Sequence, residues 1–220
     1  PEFSNFSKII GGGLHSIGLL DTGEILCWGW NYEGQCSPPT GTFIDIAAGN
    51  THSLGLRSDG SVECWGWNVN GQCNAPSGTF TKIAAGGNFS LALSTDGSVV
   101  CWGQNNYGQT EPQDFTAATF ECGEAHGVAI DLLGNIQCWG WSGYGQCDAP
   151  SGKFAMVVAG GEHTIAIRGE PVGACCTGNE ARCVQSVEAD CDESFGLTWL
   201  GVGTSCADDP CPTTCEGDTT

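Results

Sequence analysis

Cysteine is the residue of this sequence whose number and spacing point most directly to chemistry. The chain has 220 residues, of which 15 are cysteine, too many for a reducing cytosol unless they bind metal. Three pairs share the spacing Cys-x8-Cys, and each brackets a loop whose glycines allow the chain to fold back. The pairs are Cys27 with Cys36, Cys64 with Cys73, and Cys138 with Cys147. This spacing predicts three short-loop disulfides, each stabilising the fold by roughly 2–3 kcal/mol.

A fourth copy of the spacing is broken, because Thr110 replaces its second cysteine. Cys122 is an additional cysteine nearby, and we expect Cys101 to pair with it. The alternative is zinc, bound by the two cysteines and a histidine that recurs with them. Zinc needs the full ligand set in each copy, and Phe89 replaces the histidine in one of them. We therefore predict disulfides, with no metal and no other cofactor.

The remaining seven cysteines lie close together near the C-terminus. Six of them suit three disulfides, which a segment of about 40 residues needs because its core is small. Their pairing stays open. The seventh, Cys215, is predicted to be unpaired or intermolecular. The six are Cys175, Cys176, Cys183, Cys191, Cys206 and Cys211.

These residues belong to a repeat with a period of 37. Cys-Trp-Gly begins at residues 27, 64, 101 and 138, and Gly-Gln follows seven residues later each time. An earlier glycine and a histidine three residues beyond it, first seen as Gly12 and His15, recur with the same period. The repeat predicts an array from about residue 6 to residue 168. Because a catalytic group is normally unique, the repeated histidine is predicted to be architectural.

Each copy has the pattern of short strands. Residues 43–48 form an apolar run, and residues 53–57 and 61–65 alternate with period two. Asp59-Gly60 separates the last two strands, where a tight hairpin needs residues that accept a positive φ. We predict an all-β, propeller-type array of four and a half blades over residues 1–169, open or completed by a neighbouring chain. A small disulfide-rich module is predicted over residues 170–220.

The second copy resembles the regulator-of-chromosome-condensation repeat. The motifs that carry the resemblance are Ala47-Ala48-Gly49-Asn50-Thr51-His52, Asp59-Gly60-Ser61-Val62, Trp65-Gly66-Trp67-Asn68 and Gly71-Gln72. The resemblance covers residues 6–168 and implies a β-propeller, which in this family usually has seven blades. The short repeat is similar to that of the bacterial members, so we expect a bacterial source. The cysteine-rich module is similar to small modules in secreted proteins of Planctomycetes-like bacteria.

Composition excludes several classes of function. The net charge is −19, with 25 acidic and 6 basic residues, and such a chain repels the phosphates of nucleic acids. No apolar run is long enough to span a membrane. With so many cysteines, we expect a secreted, extracellular or cell-surface protein whose signal peptide has been removed. No unique catalytic motif occurs, so we expect a protein that is not an enzyme.

Two functions remain open. Uncovered blade faces favour a non-catalytic extracellular structural protein that assembles with itself head to tail into a filament or ring. The alternative is a secreted or surface propeller that binds another protein or a glycan in adhesion or inhibition.

Trp30, Trp67 and Trp141 are the interface candidates, since exposed aromatic side chains on a loop rim are good anchors. Packing against the neighbouring disulfides is the other interpretation of these tryptophans. Asn5 and Asn88 begin Asn-x-Ser sequons and are candidate glycosylation sites.

Overall fold

A computed structural model describes residues 5–169 and the strands at residues 172–177, 183–187 and 197–202. These residues form strands and turns, without a helix. Four three-stranded antiparallel sheets and one two-stranded sheet follow one another as blades 1 to 5. Blade 1 consists of β1 (Phe6–Gly11), β2 (His15–Leu20) and β3 (Ile25–Gly29); blade 2 of β4 (Asp45–Ala48), β5 (His52–Leu56) and β6 (Val62–Gly66); blade 3 of β7 (Phe80–Ala85), β8 (Phe89–Ser94) and β9 (Val99–Gly103); blade 4 of β10 (Ala117–Cys122), β11 (His126–Asp131) and β12 (Ile136–Gly140); and blade 5 of β13 (Phe154–Ala159) and β14 (Thr164–Arg168).

The first strand of every blade ends at a common axis. The glycine-rich turns after these strands line one channel, and their backbones are bonded from blade to blade. The amide of Asn50 donates to the carbonyl of Gly87 at 3.1 Å, and the amide of Gly87 donates to that of Glu124 at 3.0 Å. The channel is lined by Gly12, Gly49, Gly86, Gly123 and Gly160, among others. The predicted all-β propeller-type array is therefore confirmed.

A hairpin glycine also joins each blade to the next. Gly60, in the turn between β5 and β6, has a φ of 82°, which a residue with a Cβ rarely adopts. Its carbonyl accepts a hydrogen bond at 2.9 Å from the amide of Phe80, the first residue of the next blade. Gly23, Gly97 and Gly134 hold the same position with the same sign of φ. The prediction that this turn needs a positive φ is confirmed.

The core lies between blades, and there is one apolar cluster at each joint. At the joint of blades 2 and 3, Leu54 and Leu56 on the middle strand pack against Phe80 and Ile83 on the first strand of the next blade. The middle strand β5 is buried along its whole length, since it is covered by apolar side chains on both faces. Each blade is therefore stabilised by its neighbours.

Blade 5 has two strands among the described residues, and of the next Cys-Trp-Gly motif the sequence keeps the cysteine alone. Cys175 stands 37 residues after Cys138, but β15 (Val172–Thr177) pairs with β16 (Cys183–Val187) and β17 (Leu197–Val202) instead of with β14. The third strand of blade 4 ends at Gly140 with a φ of 94°. Thr177 has the same repeat position, and a β-branched residue does not readily adopt that φ. This segment therefore lacks the glycine with which the third strand of blades 1 to 4 ends.

Candidate functional site

The outer face of blade 1 carries apolar side chains that the other blades bury. Ile46 is 0% exposed, whereas Ile9, at the same repeat position, is 56% exposed. Trp65 is 9% exposed and its counterpart Trp28 is 47% exposed. No blade covers these side chains within residues 5–169. We call this set the blade-1 face; it consists of Phe6, Ile9 and Trp28.

The outer face of blade 5 carries the opposite half of the same joint. Leu54 is 0% exposed because the next blade packs on it, whereas Ile165, at its repeat position, is 55% exposed. Ile167 is likewise exposed, while its counterpart Leu56 is buried. We call this set the blade-5 face; it consists of Met156, Val158, Ile165 and Ile167. The two faces therefore hold complementary positions of one repeated joint.

A histidine bridges most of the joints. His15 Nε2 lies 2.8 Å from Ser53 Oγ in the next blade, and His52 Nε2 lies 3.0 Å from Ser90 Oγ. Ser53 Oγ also donates to the carbonyl of Gln35 at 2.9 Å. Because the hydroxyl hydrogen is used there, the histidine donates from Nε2, and the tautomer follows from this network. The repeated histidine thus connects two blades.

The histidine and the hydroxyl residue of each bridge occur together in the sequence. Each bridging histidine is followed 38 residues later by a residue with a hydroxyl group, as His126 is by Thr164 at 3.1 Å. Where Phe89 replaces the histidine, Gly127 replaces the hydroxyl residue. The two open faces carry the separate halves of one such bridge, since His163 is exposed on blade 5 and Ser16, at the position of the hydroxyl residue, lies on blade 1.

We expect the stability of the fold to fall in mild acid because of these histidines. Burial, and secondly the nearby His15, lower the pKa of His52 from 6.5 to about 4. The unfolded chain therefore binds more protons between these two values, and the free energy of unfolding falls as the pH drops from 6.5 towards 4. Urea unfolding curves across this range measure the slope. The double variant His52→Phe, Ser90→Gly copies the Phe89–Gly127 joint, so the free energy of unfolding of this variant should depend less on pH. An unchanged slope would contradict this account.

The three Cys-x8-Cys pairs are bonded in the structure. The disulfides join Cys27 to Cys36, Cys64 to Cys73, and Cys138 to Cys147, with Cα–Cα distances of 5.1, 4.9 and 5.3 Å. Each one ties the third strand of a blade to the loop that leads to the next blade. The loop rim of the propeller is thereby fixed at three of its four described loops.

The prediction of a disulfide between Cys101 and Cys122 is wrong, because both residues are free thiols in the structure. Cys101 lies on β9, the third strand of blade 3, while Cys122 lies on β10, the first strand of blade 4, and these strands are not paired. Burial raises the pKa of Cys101 to about 12 and that of Cys122 well above its usual value. Since the thiolate is the reactive form, both sulfurs behave as packed apolar groups.

The candidate tryptophans divide into two places on the loop rim. Trp30 is exposed and stacks on Tyr32, with ring centroids 6.0 Å apart. Trp67 is half-buried and lines a groove together with Trp30. Trp141 lies at a different joint, where its ring centroid is 6.1 Å from that of Tyr107 and 4.8 Å from that of Tyr144. Their role in binding stays a prediction.

Asn5 is exposed, and Asn88 is half-buried with its side-chain amide 3.3 Å from Gln104 Oε1; glycosylation of either one stays a prediction. Within the described ranges, no helix has the length and apolarity to cross a membrane. The side chains of the C-terminal cysteines lie outside the described part of the chain, so their pairing is untested. These are Cys175, Cys176, Cys183, Cys191, Cys206, Cys211 and Cys215.

The fold and its repeated joints define a β-propeller of tandem repeats, and comparisons with known proteins agree. A family model described as "Regulator of chromosome condensation (RCC1) repeat" matches residues 7–35, 43–72 and 80–109. RCC1 domain-containing protein 1 of Mus musculus is 50% identical over 34 residues, which make up 16% of this chain and 9% of that protein. The resemblance to RCC1 repeats is confirmed for the three matched segments. The bacterial kind and the Planctomycetes-like module stay predictions.

Solved propellers share the fold at low sequence identity. The CRINKLY WD40 ectodomain of the Arabidopsis thaliana receptor kinase ACR4 matches with a TM-score of 0.62 and 23% identity over 84% of this chain and 65% of that one. Yeast RCC1 (Prp20), solved with Kap60 bound to it, matches with a TM-score of 0.65 and 18% identity over 79% of this chain. The chain spans 65% and 56% of these two structures, less than two thirds of either.

Proposed function

We propose that this chain is a non-catalytic, extracellular protein-binding propeller that associates with itself head to tail. The observation that carries the proposal is the relation between the two open faces. Ile165 and Ile167 of one copy have the repeat positions that pack against the counterpart of Ile9 at every internal joint. At the joints of blades 2 with 3 and 3 with 4, the counterpart of Trp28 belongs to the same cluster. The occupant of each face is accordingly the opposite face of a second copy.

Polar groups support the same pairing. His163 of one copy and Ser16 of the next have the repeat positions of His126 and Thr164, which are bonded across an internal joint. Apolar burial supplies the driving force for such a contact, and the histidine bridge fixes its register. A joint between unlike faces is heterologous, so it extends into a helical filament or closes into a ring.

The disulfides support an extracellular setting. Disulfides persist in oxidising compartments, and the three bonded pairs lie on the loop rim. The net charge of −19 opposes the contact between copies through mutual repulsion. Association is therefore expected to strengthen as salt screens that repulsion.

Among the similar folds, yeast RCC1 is bound to Kap60, so one propeller of this shape binds another protein.

Two variants that each block one face test the proposal. Ile9→Glu places a carboxylate on the blade-1 face, and Ile165→Glu places one on the blade-5 face. Each variant alone should be monomeric by light scattering after gel filtration, because a joint needs both faces. Their mixture should form a 1:1 dimer that does not grow, since one intact face of each kind remains.

Val69→Glu is the matched control, because Val69 is an exposed apolar residue on a loop outside both faces. This variant carries the same added charge and should assemble as the parent does. A mixture of the face variants that stays monomeric would contradict the proposal. Assembly of either face variant alone to the same extent as the parent would also contradict it.

A further inference from the structure

A groove on the loop rim has the composition of a ligand site that the head-to-tail contact does not use. It lies between blades 1 and 2 and reaches Asn88 in blade 3. Its volume is about 400 Å³, within the range of small-molecule sites. It is lined by Trp30, Glu33, Asn50, Thr51, Trp67, Asn70 and Asn88. Among the joints of blades 1 to 4, this is the one with tryptophan on both of its loops, since Gln104 replaces the tryptophan of blade 3.

The backbone of the groove is fixed. The amide of Trp67 donates to the carbonyl of Thr51 at 2.9 Å. The amides of Glu33 and Asn70 donate to Gln35 Oε1 at 3.1 Å and Gln72 Oε1 at 3.0 Å. Gln35 and Gln72 are themselves buried. The two loops that carry the tryptophans are therefore held in place before any ligand arrives, which reduces the entropic cost of binding.

Several polar groups in the groove are free to bind. Within residues 5–169, the side chains of Glu33 and Asn70 make no hydrogen bond to another side chain or to the backbone. Asn50 and Asn88 use their amide nitrogens, at 2.8 Å to Glu124 Oε1 and 3.3 Å to Gln104 Oε1. Their carbonyl oxygens remain available as acceptors. The groove thus offers amide donors and acceptors beside two indole rings.

We propose that this groove binds a neutral oligosaccharide. The apolar C–H face of a pyranose ring packs on an indole ring, while its hydroxyls both donate and accept, as side-chain amides do. The net charge of −19 disfavours acidic glycans. A quaternary ammonium group also binds to aromatic rings beside a carboxylate, but the groove has one carboxylate against three amides and a hydroxyl. A sugar fits this balance better than a cation.

Calorimetric titration with cellohexaose, chitohexaose, mannohexaose and xylohexaose tests the proposal. The full chain, oxidised, is produced in a bacterial periplasm that adds no N-glycan, so Asn88 is unmodified. It carries Ile165→Glu, which keeps it monomeric if the head-to-tail proposal holds. We expect at least one hexasaccharide to bind. Trp30→Ala and Trp67→Ala should each weaken that binding about tenfold or more, a loss of roughly 1.4 kcal/mol.

Trp141→Ala is the matched control, because it removes a rim tryptophan from another joint and should leave the affinity unchanged. The thermal midpoint of each variant checks that it is folded. Absence of binding to all four sugars at about 5 mM, well above a Kd of 1 mM, would overturn the proposal. Equal affinity in the two tryptophan variants, or binding of tetramethylammonium with no sugar bound, would do so as well. These results do not depend on association between copies.

Discussion

Replacing Ile46 with alanine is expected to lower the free energy of unfolding by about 2–5 kcal/mol. Ile46 is fully buried at the joint of blades 1 and 2, in the cluster with Ile17, Leu19 and Phe43. Truncation removes the transfer free energy of the lost methyl groups and leaves a cavity in a joint that the hairpin and channel hydrogen bonds hold together. Urea unfolding of the oxidised chain at neutral pH measures the loss.

Ile9→Ala is the control that makes this result specific to the joint. Ile9 has the same repeat position as Ile46 and the same side chain, but it lies on the open blade-1 face. At concentrations where the chain is monomeric, its truncation should change the free energy of unfolding by about 0.5 kcal/mol or less. Equal losses for the two variants would mean that the blade-1 face is covered within the single chain, against the description given above.

Removing one rim disulfide is expected to have the second largest effect. The double variant Cys64→Ser, Cys73→Ser opens a loop of nine residues and should lower the free energy of unfolding by roughly 2–3 kcal/mol, chiefly by freeing the unfolded chain. The same urea measurement detects it. Addition of a reductant should lower the stability of the parent by more than it lowers that of a variant without the three pairs, which retains the C-terminal cysteines.

Thr110→Cys provides the converse test. Thr110 has the repeat position of Cys73, and Cys101 has that of Cys64. The substitution therefore restores the missing fourth pair. We expect a disulfide to form on oxidation, with a gain of roughly 2–3 kcal/mol. Peptide mapping by mass spectrometry identifies the bond. An introduced thiol that remains reduced under oxidising conditions would show that this loop differs from the other three.

Much of the fold is predictable from the sequence because the repeat leaves few choices. A period of 37 residues without insertions, with alternation of period two between turn glycines, allows three short strands per copy, and the structure has them. Strand β5 covers residues 52–56, where alternation predicts 53–57. The paired strands also explain why Asp59-Gly60 is a turn: its glycine both reverses the chain and accepts a hydrogen bond from the next blade.

Other features depend on three-dimensional placement and escaped the sequence argument. The expected pair of Cys101 and Cys122 rested on an even number of sulfurs, whereas in the structure both thiols pack against one apolar cluster without a bond between them. The histidine was assigned an architectural role from its recurrence alone. Its partner could have been found from the hydroxyl residue 38 positions later and from the joint substitution of Phe89 and Gly127.

The candidate tryptophans show the same limit. Trp30, Trp67 and Trp141 are equivalent in the repeat, so sequence treats them as one set. Their surroundings differ because neighbouring loops differ, with Tyr144 beside Trp141 and Asn70 near Trp67. Which tryptophans share a groove therefore depends on the residues of two successive copies and on how the blades are packed.

Sedimentation velocity of the oxidised parent chain, from about 1 to 200 µM at physiological salt, where charges are screened beyond about 8 Å, tests head-to-tail association most directly. The weight-average sedimentation coefficient should rise with protein concentration and rise further with added salt. Electron microscopy of the largest species should show filaments or rings. A single species with the mass of one chain, 22.8 kDa, at every concentration and salt would contradict the account.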